Sequence, residues 1–257
     1  MPLSVLILLI ILFFVTSIIG VVTGSNSLIT VPVMFQFGID EKVAVATNMF
    51  GLTFMSIGGT IPFVRQRKID YRKVSPLIIL TIVSSALGAM LVGWIANESL
   101  RLVVSLAMIA VALFTLFKRD TAPTDKDISQ GAFVLTYILT FLLGIYGGLY
   151  SGGYVTILTA VCVAFFGMSF TVAVGSTKLI NVFSSVVATA IFMWQGLVDY
   201  KLGIILGVTM FVGAYIGAHY AAKMNEVWLK RIFLGTVFLL AIKTLYDLSD
   251  VITQIAR

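Results

Sequence analysis

Long apolar segments alternate with short polar breaks along the chain, and the same order of segments occurs twice. In each half, four segments of about 18 to 23 residues are long enough to cross a hydrocarbon core of roughly 30 Å as helices. The second segment of each half is much shorter. The segments are Leu3–Val22, Leu28–Gly38, Val43–Val64, Val74–Ile95 and Leu100–Phe117, then Ala132–Leu149, Tyr154–Gly167, Val172–Trp194, Leu202–Ala222 and Leu229–Leu248.

The pattern predicts an all-α integral membrane protein with four transmembrane helices and one re-entrant half-helix in each half. A helix that stops at mid-depth leaves backbone amides without partners, and these are tolerated only inside protein or beside a water-filled cavity. We therefore expect the two short segments to face a substrate cavity.

The two halves also match residue by residue, without a gap, at an offset of 129 positions. Gly24 matches Gly153, and Thr30 matches Thr159. We predict two homologous repeats, residues 1–117 and 131–257, joined by the polar linker 118–130. Many secondary transporters consist of two such repeats, with the substrate site at the interface between them.

Composition supports a membrane protein and excludes several other classes. Hydrophobic residues make up 60% of the chain and charged residues 11%, against about 25% charged in a typical soluble domain. The single Cys and single His argue against disulfides, a metal centre or another cofactor. We expect a multi-pass protein of the inner membrane whose net charge of +6 faces lipid headgroups rather than nucleic acid. Lipid and a small substrate are the expected partners, and a homodimer stays open.

The stretch from Arg65 to Lys73 sets the predicted orientation. Its five basic residues and one acid place it in the cytoplasm by the positive-inside rule. With four spans per half, both chain termini and the linker would lie on the same side and the repeats would be parallel. If the short segments also crossed, one repeat would be inverted.

A glycine-rich break precedes each short segment, at residues 23–27 and 147–153. Glycine permits irregular backbone, while Ser and Asn can cap a helix start. A helix that starts at mid-depth offers free N–H groups and about half a positive charge, which suits an anion. The alternative is that these glycines only allow close helix packing.

The third segment of each half carries polar residues at matching positions, Thr47-Asn48-Met49 and Ser176-Thr177-Lys178. Lys178 would supply a countercharge to an anion if it points inward, or would extend to the membrane interface if it does not. Together with the breaks, these segments give the predicted substrate-binding residues: Gly24, Ser25, Asn26, Ser27, Thr47, Asn48, Ser151, Gly152, Gly153, Tyr154, Ser176, Thr177, Lys178 and Asn181.

Several of these motifs resemble the TauE/SafE family of sulfite and organosulfonate exporters. They are Leu-Ile-Thr-Val-Pro at 28–32, Val-Ala-Val-Ala-Thr-Asn at 43–48, Arg-Lys-Ile-Asp-Tyr-Arg at 67–72, Gly-Ser-Thr-Lys-Leu-Ile-Asn at 175–181 and Gly-Leu-Val-Asp-Tyr at 196–200. The resemblance implies an inner-membrane carrier that exports sulfur-containing anions such as sulfite, sulfoacetate or other sulfonates. Where the family commonly has Thr-Asn-Lys in the first repeat, this chain has Met49.

Other functions remain open at this stage. A channel for small anions, or an uptake carrier for another anion, would need the same features. A remote alternative is an intramembrane serine hydrolase that uses Ser151 with His219 as its base. The chain has no Gly-x-x-x-x-Gly-Lys-[Ser/Thr] nucleotide loop, so we expect alternating access driven by gradients rather than by ATP.

Overall fold

A computed structural model describes residues 2–24, 26–100, 102–104, 106, 130–225, 227–228 and 231. This part of the chain is helical and contains no strand. The predicted segments Leu100–Phe117 and Leu229–Leu248 and the linker 118–130 lie mostly outside the described residues. Eight helices have defined bounds: α1 Leu3–Thr23, α2 Ser27–Gln36, α3 Glu41–Arg65, α4 Tyr71–Trp94, α5 Gln130–Leu149, α6 Tyr154–Phe165, α7 Phe170–Trp194 and α8 Tyr200–Lys223.

The lengths of the helices follow the apolar pattern. Six of them, α1, α3, α4, α5, α7 and α8, are long and apolar enough to cross a membrane. The other two, α2 with 10 residues and α6 with 12, are short and apolar, which confirms the predicted brevity of the second segments. Asp70 and Asp199 begin α4 and α8 by accepting backbone hydrogen bonds from Lys73 and Leu202, at 3.3 and 3.1 Å.

Helices α3 and α7 form the centre of the fold and run antiparallel. Each has 25 residues, and each is buried over much of its length. The contacts between them advance along α3 as they retreat along α7. They are Thr53 with Thr189 at 3.1 Å and the Asn181 amide on the Ser56 hydroxyl at 2.6 Å. In line with them, the backbone amide of Asp199, which follows α7, donates to the Thr47 hydroxyl near the start of α3 at 3.0 Å.

The long helices also form parallel pairs, with glycines at the points of contact. Along α3 and α8, the ring of Phe50 covers Gly203 and the ring of Phe54 covers Gly207, so both helices run the same way. Contacts also advance in the same direction along α1 and α8, where Gly213 packs against Phe14 and Ser17, and Gly217 packs against Ile18. The same holds for α4 and α5, where Gly144 lies against Ser84 and Gly148 against Ser85. Glycine allows such close backbone approach.

These directions place the starts of α1 and α3 on one face of the bundle. Helix α1 runs parallel to α8, and α8 runs parallel to α3, so the chain must return through α2 before α3 begins. Thr23, where α1 ends, is buried inside the protein. The predicted orientation of α1 is therefore wrong, because α1 starts on the face opposite the basic stretch from Arg65 to Lys73.

Candidate functional site

Two backbone breaks lie inside the protein, one before each short helix. Gly24, with φ +71°, separates α1 from α2, and Gly153, with φ +77°, starts α6. These left-handed conformations suit glycine and confirm the predicted irregular backbone. Ser151 also has a positive φ, +67°, which is unusual for a residue with a side chain. Asn26 precedes α2 and makes no capping hydrogen bond through its side chain; Ser25 lies outside the described residues.

The two breaks touch each other. The Thr156 hydroxyl in the first turn of α6 donates to the Thr23 carbonyl at 2.5 Å, and the Tyr150 hydroxyl donates to the Ser27 carbonyl at 2.9 Å. A Cβ added to Gly24 would lie 2.7 Å from the backbone nitrogen of Thr156. The positive ends of α2 and α6 therefore converge on one region of the protein interior.

A small cavity lies at this junction. Its volume is about 10 Å³, close to the least that accommodates one water molecule. Six of the predicted site residues line it together with four that sequence reasoning missed. The predicted ones are Gly24, Asn26, Ser27, Ser151, Lys178 and Asn181, and the missed ones are Gly20, Leu52, Met55 and Val155.

Lys178 reaches into this cavity from α7. Its side chain is only 2% exposed, and its ammonium donates to the Gly20 carbonyl at 3.0 Å. Part of the stem passes Gly59, where an added Cβ would lie 3.9 Å from the Lys178 Cδ. An ammonium has three donors, and the Gly20 carbonyl takes one of them. Lys178 therefore points into the protein and does not extend to the membrane interface.

Two asparagines add amide groups to the cavity wall. The Asn181 side chain donates to the Ser56 hydroxyl at 2.6 Å, while its oxygen is buried without a partner among the described residues. For Asn26, neither amide atom finds a partner within the described part of the chain. Buried polar groups are usually hydrogen-bonded, and each exception calls for an explanation. A polar ligand in the cavity would satisfy these atoms.

Asn48 and Thr177 support the cavity from behind rather than lining it. Asn48 accepts from the Thr30 hydroxyl at 2.7 Å and donates to the Ser27 hydroxyl at 2.9 Å, which fixes α2 on α3. Thr177 makes the corresponding contact in the second half, 2.9 Å from Thr159 on α6. Both short helices are therefore held by side chains of the long central helices.

The other predicted residues lie near the cavity without lining it. The Thr47 hydroxyl is occupied by the Asp199 amide. The Gly152 carbonyl accepts a hydrogen bond from Tyr146. Gly153 shapes the start of α6, while Tyr154 and Ser176 are buried. Their contribution is to the backbone and packing around the site.

The chemistry of the cavity suits an anion. The ten residues that the structure places on its wall include a lysine and two amides but no carboxylate. The starts of α2 and α6 add positive potential, since each helix start has about half a positive charge. His219 is exposed and lies 3.0 Å from the Lys223 ammonium, whereas Ser151 is buried on the cavity wall. The geometry therefore gives no support to a Ser151–His219 catalytic pair.

Comparison with known proteins gives the family. A family model described as "Sulfite exporter TauE/SafE" matches residues 8–244. The chain is 27% identical to the "Probable membrane transporter protein ORF9" of Sinorhizobium over 236 residues, covering 91% of this chain and 90% of that protein. It is 23% identical over 234 residues to a "Probable membrane transporter protein" of Haemophilus influenzae, covering 91% and 92%. It is 25% identical over 240 residues to the "Probable membrane transporter protein YfcA" of Escherichia coli, covering 92% and 89%. The chain belongs to the TauE/SafE family of membrane transporters.

Proposed function

We propose that this protein is a secondary carrier that binds a sulfur oxyanion, such as sulfite or an organosulfonate, in the cavity where α2 and α6 begin. The observation that carries the proposal is the burial of Lys178 at this junction, beside unpartnered amide groups and with no carboxylate on the described cavity wall. A buried charge near the membrane interior costs a few kcal/mol, so it requires a functional reason. The description of the family as sulfite exporters supports the choice of anion.

The number of charges favours a monoanion. Lys178 supplies the one full positive charge on the described cavity wall, whereas the two helix starts supply only partial charges whose effect falls off within the first turn. Met49 occupies the position equivalent to Lys178 in the first half. A singly charged sulfonate or hydrogen sulfite is therefore a better match than a dianion.

The directions of the helices support two inverted repeats. Helices α3 and α7 occupy equivalent positions at the offset of 129 and have the same length, as do α4 and α8. Because α3 and α7 are antiparallel, the second half is inverted relative to the first, as in many transporters. The hairpins α1–α2 and α5–α6 then enter from opposite faces and meet at their tips as re-entrant structures.

This arrangement supports alternating access. A cavity of about 10 Å³ is far too small for an anion of four or more heavy atoms, because it is close to the least that holds a single water. The structure therefore corresponds to a closed state, and each hairpin would open the site to its own face. Export of an anion from the cytoplasm gains roughly 2.3 kcal/mol per charge for each 100 mV of membrane potential.

Counterflow in proteoliposomes tests the proposal. Vesicles loaded with unlabelled sulfite at a pH where hydrogen sulfite is present, or with a simple monoanionic sulfonate, should accumulate the labelled anion transiently and saturably, with sulfate and acetate as competitors of different charge and shape. A channel would instead give conductance without saturation or counterflow. Net movement of the anion into the cytoplasm under the cellular membrane potential would favour the uptake carrier.

Lys178→Met is the decisive variant because Met49 already occupies the equivalent position. We expect it to weaken anion binding by more than about tenfold, since a hydrogen bond to a charged group is worth about 1.5 to 3 kcal/mol. The matched control is Lys42→Met, which removes a half-buried lysine outside the cavity wall that donates to the Gly93 carbonyl. Parental affinity and transport in Lys178→Met would refute the assigned site.

A further inference from the structure

The ends of α3 and α8 carry a group of basic and aromatic side chains on the face of the bundle that has the basic stretch from Arg65 to Lys73. The Arg65 guanidinium donates to the Tyr215 hydroxyl at 3.2 Å, and the Lys223 ammonium lies 3.0 Å from Nε2 of His219. Tyr215, His219 and Lys223 follow one another at intervals of four residues on α8, so they share one side of that helix. We call Arg65, Tyr215, His219 and Lys223 the basic strip.

The basic strip has more hydrogen-bond donors than it uses within the described residues. A guanidinium has five N–H donors and an ammonium three, and Arg65 and Lys223 each make one side-chain hydrogen bond in the described part of the chain. An ammonium can only donate, so Nε2 of His219 accepts and its Nδ1 carries the proton. Neither Arg65 nor Lys223 forms an ion pair with a carboxylate of the described chain. Among the described residues, the strip therefore has two positive charges and several N–H groups left to offer an anion.

Exposed apolar residues continue the strip toward the middle of the membrane. On α8, Val208 and Val212 are 54% and 44% exposed, and their spacing puts them on the same side of the helix as His219. On α3, Val64 directly precedes Arg65 and is 41% exposed. A phosphate group at the cations would thus leave an acyl chain against these valines. This order of charged and apolar groups matches a phospholipid rather than a soluble anion.

Tryptophans occupy the equivalent positions on the opposite face of the bundle. At the offset of 129, Trp194 is equivalent to Arg65, and Trp94 is equivalent to Lys223. The two tryptophans are 81% and 90% exposed, and both line one surface depression of about 500 Å³. Exposed tryptophans at the ends of membrane helices mark the boundary between hydrocarbon and headgroups. The basic strip therefore occupies the headgroup level of its own face, and the fold does not require cations at these positions.

The apolar side of these helices, by contrast, is alike in both halves. Ile79 and Val83 of α4 are equivalent to Val208 and Val212 of α8, and they are 67% and 53% exposed. Both halves therefore present a similar surface to acyl chains, and only the headgroup ends differ. The positive-inside rule places the basic stretch, and the strip with it, in the cytoplasm. Anionic lipids of the cytoplasmic leaflet attract basic segments beside membrane helices.

We propose that the basic strip binds the phosphate group of an anionic phospholipid from the cytoplasmic leaflet. Arg65 and Lys223 supply the charge, while the Tyr215 hydroxyl and the Nδ1–H of His219 each donate one further hydrogen bond. One acyl chain covers the exposed valines of α8. Basic pockets between membrane helices on the cytoplasmic side bind such headgroups. The lipid joins the end of α3 to the end of α8, a role that is separate from the transported anion and does not depend on the carrier proposed above.

Thermal unfolding of the purified protein in detergent tests the site without any transported substrate. Phosphatidylglycerol, phosphatidylethanolamine with the same acyl chains, and soluble glycerol phosphate are added in separate titrations. We expect phosphatidylglycerol alone to raise the melting temperature saturably, because a ligand that binds only the folded state stabilises it and phosphatidylethanolamine has no net charge. Equal melting temperatures with the two lipids would refute the site and would leave the anion proposal untouched. A rise with glycerol phosphate that Arg65→Gln abolishes would assign the strip to a soluble anion and overturn the lipid.

Three charge-removing variants locate the lipid. Arg65→Gln and Lys223→Gln should each raise the half-saturating mole fraction of phosphatidylglycerol by about fivefold, equivalent to about 1 kcal/mol for one basic residue near the membrane surface. Both side chains are exposed, so both variants should fold normally. The matched control is Arg72→Gln, which removes an exposed charge of the same basic stretch from the start of α4. Parental lipid affinity in either Arg65→Gln or Lys223→Gln, or an equal loss in Arg72→Gln, would overturn the assignment.

Discussion

Gly24 offers the sharpest test of how the two helix breaks fit together. An added Cβ would lie 2.7 Å from the Thr156 nitrogen and 2.7 Å from the Val155 Cβ, closer than real Cβ atoms approach. The Thr156 nitrogen belongs to the backbone of α6, so it cannot turn aside as a flexible side chain would. Gly24→Ala should therefore separate the two helix starts.

The structure supplies the magnitude of this effect and a matched control. At Gly24, φ +71° costs an alanine about 1 to 2 kcal/mol, and the forced contact adds about 1 to 3 kcal/mol. Gly38 has nearly the same backbone conformation, φ +75°, but nothing lies within 4 Å of an added Cβ. Gly38→Ala should therefore show the backbone cost alone, and the unfolded-state effect of removing a glycine cancels between the two variants.

The assay combines unfolding in detergent with anion binding. We expect Gly38→Ala to lose about 1 to 2 kcal/mol of stability with unchanged anion affinity. Gly24→Ala should lose about 1 to 3 kcal/mol more and bind sulfite or a sulfonate at least about tenfold more weakly, the effect of about 1.4 kcal/mol. If the two variants lose equal stability and both keep parental affinity, the contact between the helix starts does not form the site.

Three further predictions concern the cavity. Met49→Lys should shift preference toward dianions, measured as the affinity ratio of sulfoacetate to a simple sulfonate, because it adds a second cation at the position equivalent to Lys178; an unchanged ratio would mean that residue 49 does not contribute to the site. In a Cys162→Ala background, Ser151→Cys should react with a polar thiol reagent and be protected by substrate, whereas an inert thiol would mean that Ser151 never meets water. Asn181→Leu should weaken anion binding without unfolding the protein, since Leu52 already occupies the equivalent position; retained affinity would exclude the Asn181 amide from binding.

The sequence predicted helix lengths better than helix directions. Apolar length is a local property, so the brevity of α2 and α6 could be read from composition alone. The direction of α1 depends on whether α2 leads the chain back through the protein, which no local signal records. Counting Leu3–Val22 as a full crossing placed its start on the cytoplasmic side, whereas its packing along α8 places it on the opposite face.

The residues of the candidate cavity were also predicted only in part. Glycine breaks and an intramembrane lysine identified its polar members, because such residues are unusual at membrane depth. Leu52 and Val155 were missed because apolar residues are ordinary there. The offset of 129 could have indicated both, since Leu52 is equivalent to Asn181 and Val155 to Asn26.

This pairing of polar with apolar residues bears on how an inverted-repeat carrier could use an asymmetric site. Asn181 faces the cavity from the second half and Leu52 from the first, and Lys178 has Met49 as its equivalent. If the two halves are to exchange conformations, their backbones must be equivalent. Helices α3 and α7 meet this requirement, because they have equal lengths and make corresponding contacts to α2 and α6. It does not require equivalent side chains at the ligand. Under the proposed function, the backbone would stay symmetric and open to either face, while one lysine and two amides would determine which anion binds.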